Sequence, residues 1–188
     1  AVPDQFACDE MVALGFPSSK FLVTGHPVFD GLVEWSRNVD RELLRSQLDV
    51  MPEEKLIVFF SQPIAKMHGD RFFELGRGYD EISALEVLNE ITREITCRVK
   101  LVVKPHPREN RNDFLSTILG VTLSPKEMQA TELMVAGDVI CGMSSILLIQ
   151  AWLCGIPVVS VQPGLRKSDA LMLARAGHIK TGRNKGEI

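Results

Sequence analysis

Short runs of apolar residues, rich in β-branched and aromatic types, set the order of this chain: Leu56 to Ser61, Val99 to Val103, Val121 to Leu123, Asp138 to Cys141 and Pro157 to Val161. Within each run the apolar residues follow one another instead of alternating with polar ones, which is the pattern of a strand covered on both faces. Strands of that kind need helices above and below them, and parallel neighbours need a crossover of about a dozen residues or more. The stretches between the runs supply both. Asp40 to Leu48, Asp80 to Thr96, Glu109 to Leu119, Pro125 to Ala136, Ser144 to Cys154 and Lys167 to Ala176 are candidate helices, with lengths that suit right-handed crossovers. A further short strand near His178 to Lys180 completes the expected sheet. The fold class that follows is α/β, a Rossmann-like doubly wound parallel sheet.

The opening residues stand outside this rhythm. A helix candidate from Asp4 to Leu14 ends at Gly15 and leads to the strand-like Phe21 to Thr24; Pro27, Gly31 and the polar stretch Arg37 to Asp40 then read as a connector. With 188 residues and 45% apolar content, the chain has material for one core and an appendage. The expected organisation is residues 1–36 as the tail of a preceding domain with its linker, and residues 37–188 as the Rossmann-like domain.

A formal charge of −3, with Lys and Arg dispersed, provides no electrostatic footprint for nucleic acid and argues against it as a partner. Cys8, Cys97, Cys141 and Cys154 lie too far apart for paired zinc spacing and are too sparse for a disulfide scaffold, so they read as reduced, mostly buried thiols. No apolar run reaches the roughly 18 to 20 residues that span a bilayer, and no basic-then-apolar signal pattern opens the chain. The expectation is a soluble, cytoplasmic protein, with peripheral membrane association open to a longer parent chain.

Chemistry is expected where strands end. A buried strand from Asp138 stops at Gly142, the chain turns, and a helix opens at Ser144 and Ser145. Free backbone N–H groups and the positive end of the helix dipole meet two hydroxyls there, which suits a phosphate. The plainer alternative is that Ser144 only caps its helix. In Leu101-Val-Val-Lys-Pro-His-Pro-Arg-Glu109 the prolines stiffen a loop and project His106 from a strand's carboxyl end, with Lys104 and Arg108 adding positive charge for an anionic ligand. The alternatives are a histidine that only caps the loop and a lysine that is an ordinary solvated charge. Ser61 and Gln62 end another strand and open a long polar loop containing Gly69, Gly76 and Gly78. His68 and His178 read as ordinary surface or strand-flanking histidines. Metalloprotease, hydrolase-elbow and Walker signatures are absent from the sequence, and nothing in it calls for a metal or another cofactor.

The combination of Val23-Thr-Gly-His-Pro-Val-Phe-Asp30, Ser61-Gln-Pro63, Lys104-Pro-His-Pro107 and the Asp138 to Pro163 segment resembles the C-terminal half of GT-B-fold proteins. It is most similar to the UDP-N-acetylglucosamine 2-epimerase-like and surface-polysaccharide glycosyltransferase groups. The lysine-histidine-proline and paired-serine pattern also resembles polysialyltransferases and teichoic-acid polymerases, whose donors are cytidine nucleotides. The resemblance implies a donor-binding domain for a nucleotide sugar, UDP- or CMP/CDP-linked. Ser144 and Ser145 would hold the donor phosphates, His106 would contact the phosphate or nucleotide as the catalytic residue, and Ser61 would line the cleft; Gly142, Gln62, Lys104 and Arg108 are expected beside them as further substrate-binding residues. Related proteins carry a ribose-binding glutamate where this chain has Gln150, which can offer a hydrogen bond but no carboxylate. The Val23 to Asp30 motif lies at the end of the N-terminal domain in such proteins, so that domain is expected as a missing partner without which the chain is inactive. Its absence would leave a face on which copies could self-associate. An epimerase or hydrolase acting on UDP-N-acetylglucosamine and a non-catalytic nucleotide-binding domain are the alternatives to glycosyl transfer.

Overall fold

The computed structural model describes residues 1–118 and 120–188, and these fall into two compact units, Ala1–Val39 and Asp40–Ile188. In the first unit, helix α1 (Gln5–Ala13) is capped by the Asp4 carboxylate, which accepts from the Ala7 N–H at 2.7 Å. Val2 pairs in parallel with Val23 by an isolated bridge. The connector expected from Pro27 onward is instead helix α2 (Pro27–Asn38). Proline is suited to the first turn of a helix, and Phe29, Leu32 and Val33 recur at helical spacing, so one glycine at position 31 does not break it.

The second unit begins with α3 (Arg41–Ser46) and strand β1 (Lys55–Phe60), then α4 (Ile64–His68), α5 (Glu81–Glu94) and β2 (Val99–Lys104). It continues through α6 (Arg111–Thr117), β3 (Thr122–Leu123), α7 (Ala130–Ala136), β4 (Val139–Gly142) and α8 (Ile146–Leu153). The last elements are β5 (Val158–Val161), α9 (Met172–Arg175) and β6 (Thr181–Gly182). The strands form one parallel six-stranded sheet in the order β3-β2-β1-β4-β5-β6. Chain direction across the sheet reverses between β1 and β4, and ligands of open α/β sheets bind outside the carboxyl ends at such a point.

The continuous apolar runs have the expected cause. Ile57, Phe59, Leu101, Val103 and Cys141 pack into one cluster with Leu85 and Leu88 of α5 and Phe114 of α6. Leu56, Val58, Phe60, Val102 and Ile140, one residue out of phase and therefore on the opposite face, are also buried, as are Leu133 and Met134 of α7 and Leu148 of α8. Asp138, just before β4, ties this framework together. It accepts from Arg41 at 2.9 Å, from Arg45 at 3.0 Å and from the Leu56 N–H at 2.7 Å. The same guanidiniums donate to the carbonyls of Val135, Ala136 and Gly137, capping the carboxyl end of α7. Burial acts to raise the Asp138 pKa, but the Leu56 N–H and the two arginines outweigh it and hold the carboxyl below the usual range.

Several elements differ from expectation. Helix α7 starts at Ala130, not Pro125, because Gln129 and Glu132 form a capping box and the segment before it runs through bends at 126–128, its Met128 carbonyl held by Lys104. Helix α9 is reduced to Met172–Arg175, because the Asp169 side chain takes the Leu171 N–H at 2.8 Å and joins Gln162 and Thr181 instead of continuing a helix. Strand β6 lies at Thr181–Gly182, beyond the expected His178 to Lys180, and His178 packs against Trp152 with ring centroids 4.8 Å apart. Helix α6 starts at Arg111 behind an Asn110 cap; its expected end at Leu119 lies outside the described residues. Helix α4, inside the long polar loop, was not expected. That loop is anchored by Gly78, which has φ +92° and approaches Gly164 so closely that a Cβ would lie 2.2 Å from its carbonyl oxygen. No helix among the described residues is long and apolar enough to cross a membrane.

Candidate functional site

A cavity of about 300 Å³ opens at the carboxyl ends of β1, β2 and β4, beside the switch point, lined by Ser61, Lys104, His106, Lys126, Met128 and Ser145 among others. Each strand hands over to its loop with a polar residue. Ser61 follows β1, Lys104 ends β2 with His106 two residues on, and Ser145 is the N-cap of α8 after β4.

The Ser145 hydroxyl oxygen accepts from the Leu147 N–H at 3.2 Å, so its proton remains available to the cavity. The His106 Nδ1 accepts from the Arg108 N–H at 3.1 Å, which leaves Nε2 to carry the ring proton in the neutral tautomer and to donate. Lys104 donates one N–H to the Met128 carbonyl at 2.6 Å and keeps two more. Burial, reinforced by the Arg111 guanidinium, lowers its pKa from the ordinary lysine value. Lys126 adds a second ammonium to the wall.

The peptide that precedes Ser144 is held from both sides. The Gln62 side-chain oxygen accepts from the Ser144 N–H at 2.7 Å. The Met143 carbonyl accepts from the Ser160 hydroxyl at 2.7 Å and from the Gln162 amide at 3.3 Å. Gln162 belongs to a buried network that also contains Tyr79, at 2.8 Å, and Asp169, at 2.9 Å. The turn leading into α8 is thus fixed by side chains from beyond β1 and from β5 and the residue that follows it. Gly142 lies beneath it, where a Cβ would come within 3.1 Å of the Phe60 carbonyl oxygen across the β1–β4 pair.

Of the residues expected at the site, Ser61, Lys104, His106 and Ser145 surround one cavity. Gln62 and Ser144 bond to each other at its edge. Arg108 is exposed and lines a separate cavity of about 290 Å³ with Lys66, Glu81, Glu109 and Asp113. Gln150 lies further along α8 and is not in the cavity wall; its side-chain oxygen is buried without a hydrogen-bond partner among the described residues.

The sequence reading assigned no role to Glu109. Its carboxylate accepts from the Ser61 hydroxyl at 2.8 Å and from the His106 N–H at 2.6 Å. Burial pushes its pKa up to about 7, against those two hydrogen bonds and with help from the Glu81 charge. The signal was present: a glutamate three residues after the start of a turn, reaching back to that N–H, is half of a capping box. Lys126 and Met128 were missed because they enter through the bent segment before α7. A larger, open depression of about 1010 Å³ between α9 and β6 has charges of both signs, and its Asp169 is already engaged by Gln162, Leu171 and Thr181.

No protein-family model matches the chain and no curated protein is similar to it in sequence. Its fold does match solved structures. A protein from Listeria monocytogenes assigned as a UDP-N-acetylglucosamine 2-epimerase aligns over 98% of this chain and 47% of its own, with TM-score 0.61 and 16% identity. The UDP-GlcNAc 2-epimerase from Neisseria meningitidis, bound to UDP-GlcNAc, aligns over 90% and 45%, with TM-score 0.54 and 19% identity. A variant of the wall teichoic acid polymerase TagF soaked with CDPG aligns over 97% and 44%, with TM-score 0.58 and 12% identity. The chain spans about half the length of these proteins or less. The fold is α/β and Rossmann-like, as in one part of GT-B-fold proteins.

Proposed function

We propose that this chain is the donor-binding domain of a glycosyltransferase that takes a sugar from a nucleotide sugar during surface-carbohydrate biosynthesis in the cytoplasm. The observation that carries the reading is the convergence of Ser61, Lys104, His106 and Ser145, from three different strand ends, on one cavity at the switch point of the sheet. The amino end of α8, the Ser145 hydroxyl, the His106 Nε2–H and the ammoniums of Lys104 and Lys126 are all donors or positive charges. Such a set favours an anion and, above all, the charge that develops on a departing diphosphate. The reaction would be assisted chiefly by this electrostatic stabilisation, with His106 as the residue touching the phosphate. UDP-GlcNAc and CDPG, which accompany two of the structures above, are nucleotide conjugates of the same class, which supports the reading. The acceptor would be presented by an N-terminal domain of the same protein.

Calorimetric titration of the chain with UDP, CDP, CMP and UDP-N-acetylglucosamine tests this, repeated on the Ser145→Ala and His106→Ala variants. Saturable binding of one nucleotide, weakened about tenfold or more in each variant, is expected for loss of a hydrogen bond to a charged group. Binding that is indifferent to both substitutions would overturn the assignment of the cavity.

A further inference from the structure

Glu109 stands between two cavities. Its Oε1 accepts from Ser61 and its Oε2 from the His106 N–H, both residues of the phosphate-facing cavity, while Glu109 itself lines the second one. Both carboxylate oxygens are therefore engaged by the walls of the candidate site. An ionised carboxylate can only accept, so Ser61 must direct its single proton at Glu109 and turn lone pairs toward the cavity. An anion there would meet an oxygen lone pair with a carboxylate behind it.

Protonation reverses the polarity without moving an atom far. A proton on Oε1 lets Glu109 donate to Ser61 Oγ across the same gap, while Oε2 continues to accept from His106. The Ser61 proton is then free to donate to an anion. We propose that Glu109 is a positioning residue whose protonation turns Ser61 from acceptor into donor, so that phosphate binding in this cavity takes up one proton from solvent; this rests on the nucleotide reading above. No covalent bond changes, and the proton bound by Glu109 is the only one exchanged by the device.

The surroundings keep the group able to titrate near neutrality. Lys66 of α4, Glu81 of α5, Asp113 of α6 and Arg108 of its own loop line the cavity on the Glu109 side, two of each sign. The Glu81 carboxylate also accepts from the Ala65 N–H at 2.9 Å. Lys104 faces the other cavity. With these charges nearly balanced, burial decides, and the pKa of about 7 follows. The sign is then fixed: the binding-competent form is lost as pH rises through about 7. Affinity for a phosphate ligand would fall by up to about tenfold per pH unit above that point.

The test is calorimetric titration of the 188-residue chain with UDP, CDP and inorganic pyrophosphate at pH 6 to 9, each in two buffers of different ionisation heat. Wild type is expected to take up about half a proton or more per ligand near pH 8. Glu109→Gln is expected to bind with the low-pH affinity across the range and without that uptake, because its amide donates to Ser61 permanently while its oxygen still accepts from His106. Ser61→Ala should bind more weakly and lose the pH dependence. Binding of a probe with no proton uptake in wild type, or with the same uptake in Glu109→Gln, overturns the proposal and leaves the nucleotide reading intact. Binding of no probe at any pH overturns both. If Glu109→Gln fails to fold, Ser61→Ala decides the matter, because uptake in it equal to that of wild type overturns the proposal.

Discussion

The Ser61 hydroxyl donates to Glu109 Oε1 at 2.8 Å, joining the end of β1 to the loop after β2 through a half-buried carboxylate. Ser61 is only 5% exposed, so its hydroxyl has little bulk water to turn to in place of Glu109. The pair couples the shape of the site to a titration, and that coupling extends to the stability of the fold.

Glu109 titrates at about 7 in the folded chain against an ordinary value of 4.5, because burial disfavours the charge. Between these values the folded state holds more protons than the unfolded state, so its stability falls as pH rises through that window and levels off above it. Thermal melts from pH 4.5 to 8 should show that decline in wild type and a shallower one in Glu109→Gln. Parallel curves would show that the carboxyl is not the group responsible.

Asp138→Asn should cost about 3–5 kcal/mol, since it leaves Arg45, 5% exposed, as a buried cation without its carboxylate. The wild-type carboxyl has a depressed pKa, so its contribution is present above the ordinary carboxylate range and is lost as pH falls through the folded value. Urea unfolding at pH 7 checks the first statement and its repetition at pH 3 the second. A loss under 1 kcal/mol would mean that the carbonyl partners of Arg45 suffice by themselves.

Gly78→Ala and Gly155→Ala separate strain from crowding. Both positions have positive φ, +92° and +74°, but only at Gly78 would the new Cβ meet a backbone oxygen, 2.2 Å away. Gly155→Ala should cost about 1 kcal/mol for the backbone conformation alone. Gly78→Ala should cost about 2 kcal/mol or more and release the long loop from Gly164. Equal losses in denaturant titrations would argue against the close approach.

Gln62→Leu removes the acceptor of the Ser144 N–H. A part-buried donor left unpaired costs about 1 kcal/mol, and the turn into α8 should loosen with it. Faster amide exchange at Ser144 and Ser145, with the rest of the sheet unchanged, is the expected observation; unchanged exchange there would show that the Met143 carbonyl bonds hold the turn unaided.

Cysteine reactivity should separate by burial. All four thiols are free, Cys97 is exposed and Cys8 and Cys141 are buried. Burial pushes the Cys141 thiol up to about 12, so almost none of it is thiolate at pH 8. A disulfide reagent at that pH should modify Cys97 first and Cys141 only on unfolding, read by mass spectrometry. Early modification of Cys141 would show local opening of β4.

The sequence by itself determined the sheet. Runs such as Leu56 to Phe60 and Val99 to Val103 are apolar on both faces, and only a parallel strand between two helical layers can bury such a surface. The strand-end residues Ser61, Lys104, His106 and Ser145 were legible for the same reason, since the end of an apolar run is visible as a change of residue type. Tertiary structure decided what those residues do. Gln62 holds Ser144 across 82 positions of chain, and Ser61 meets Glu109 across 48. No local period records such pairs, because their partners are brought together by the order of strands across the sheet. The helix ends were lost to the same cause: Asp169 takes its partners from Gln162 and Thr181, a choice that local propensity near Lys167 cannot express. The near-neutral pKa of Glu109 also belongs wholly to the fold, because it arises from burial, which depends on what packs around a group and not on its neighbours in sequence.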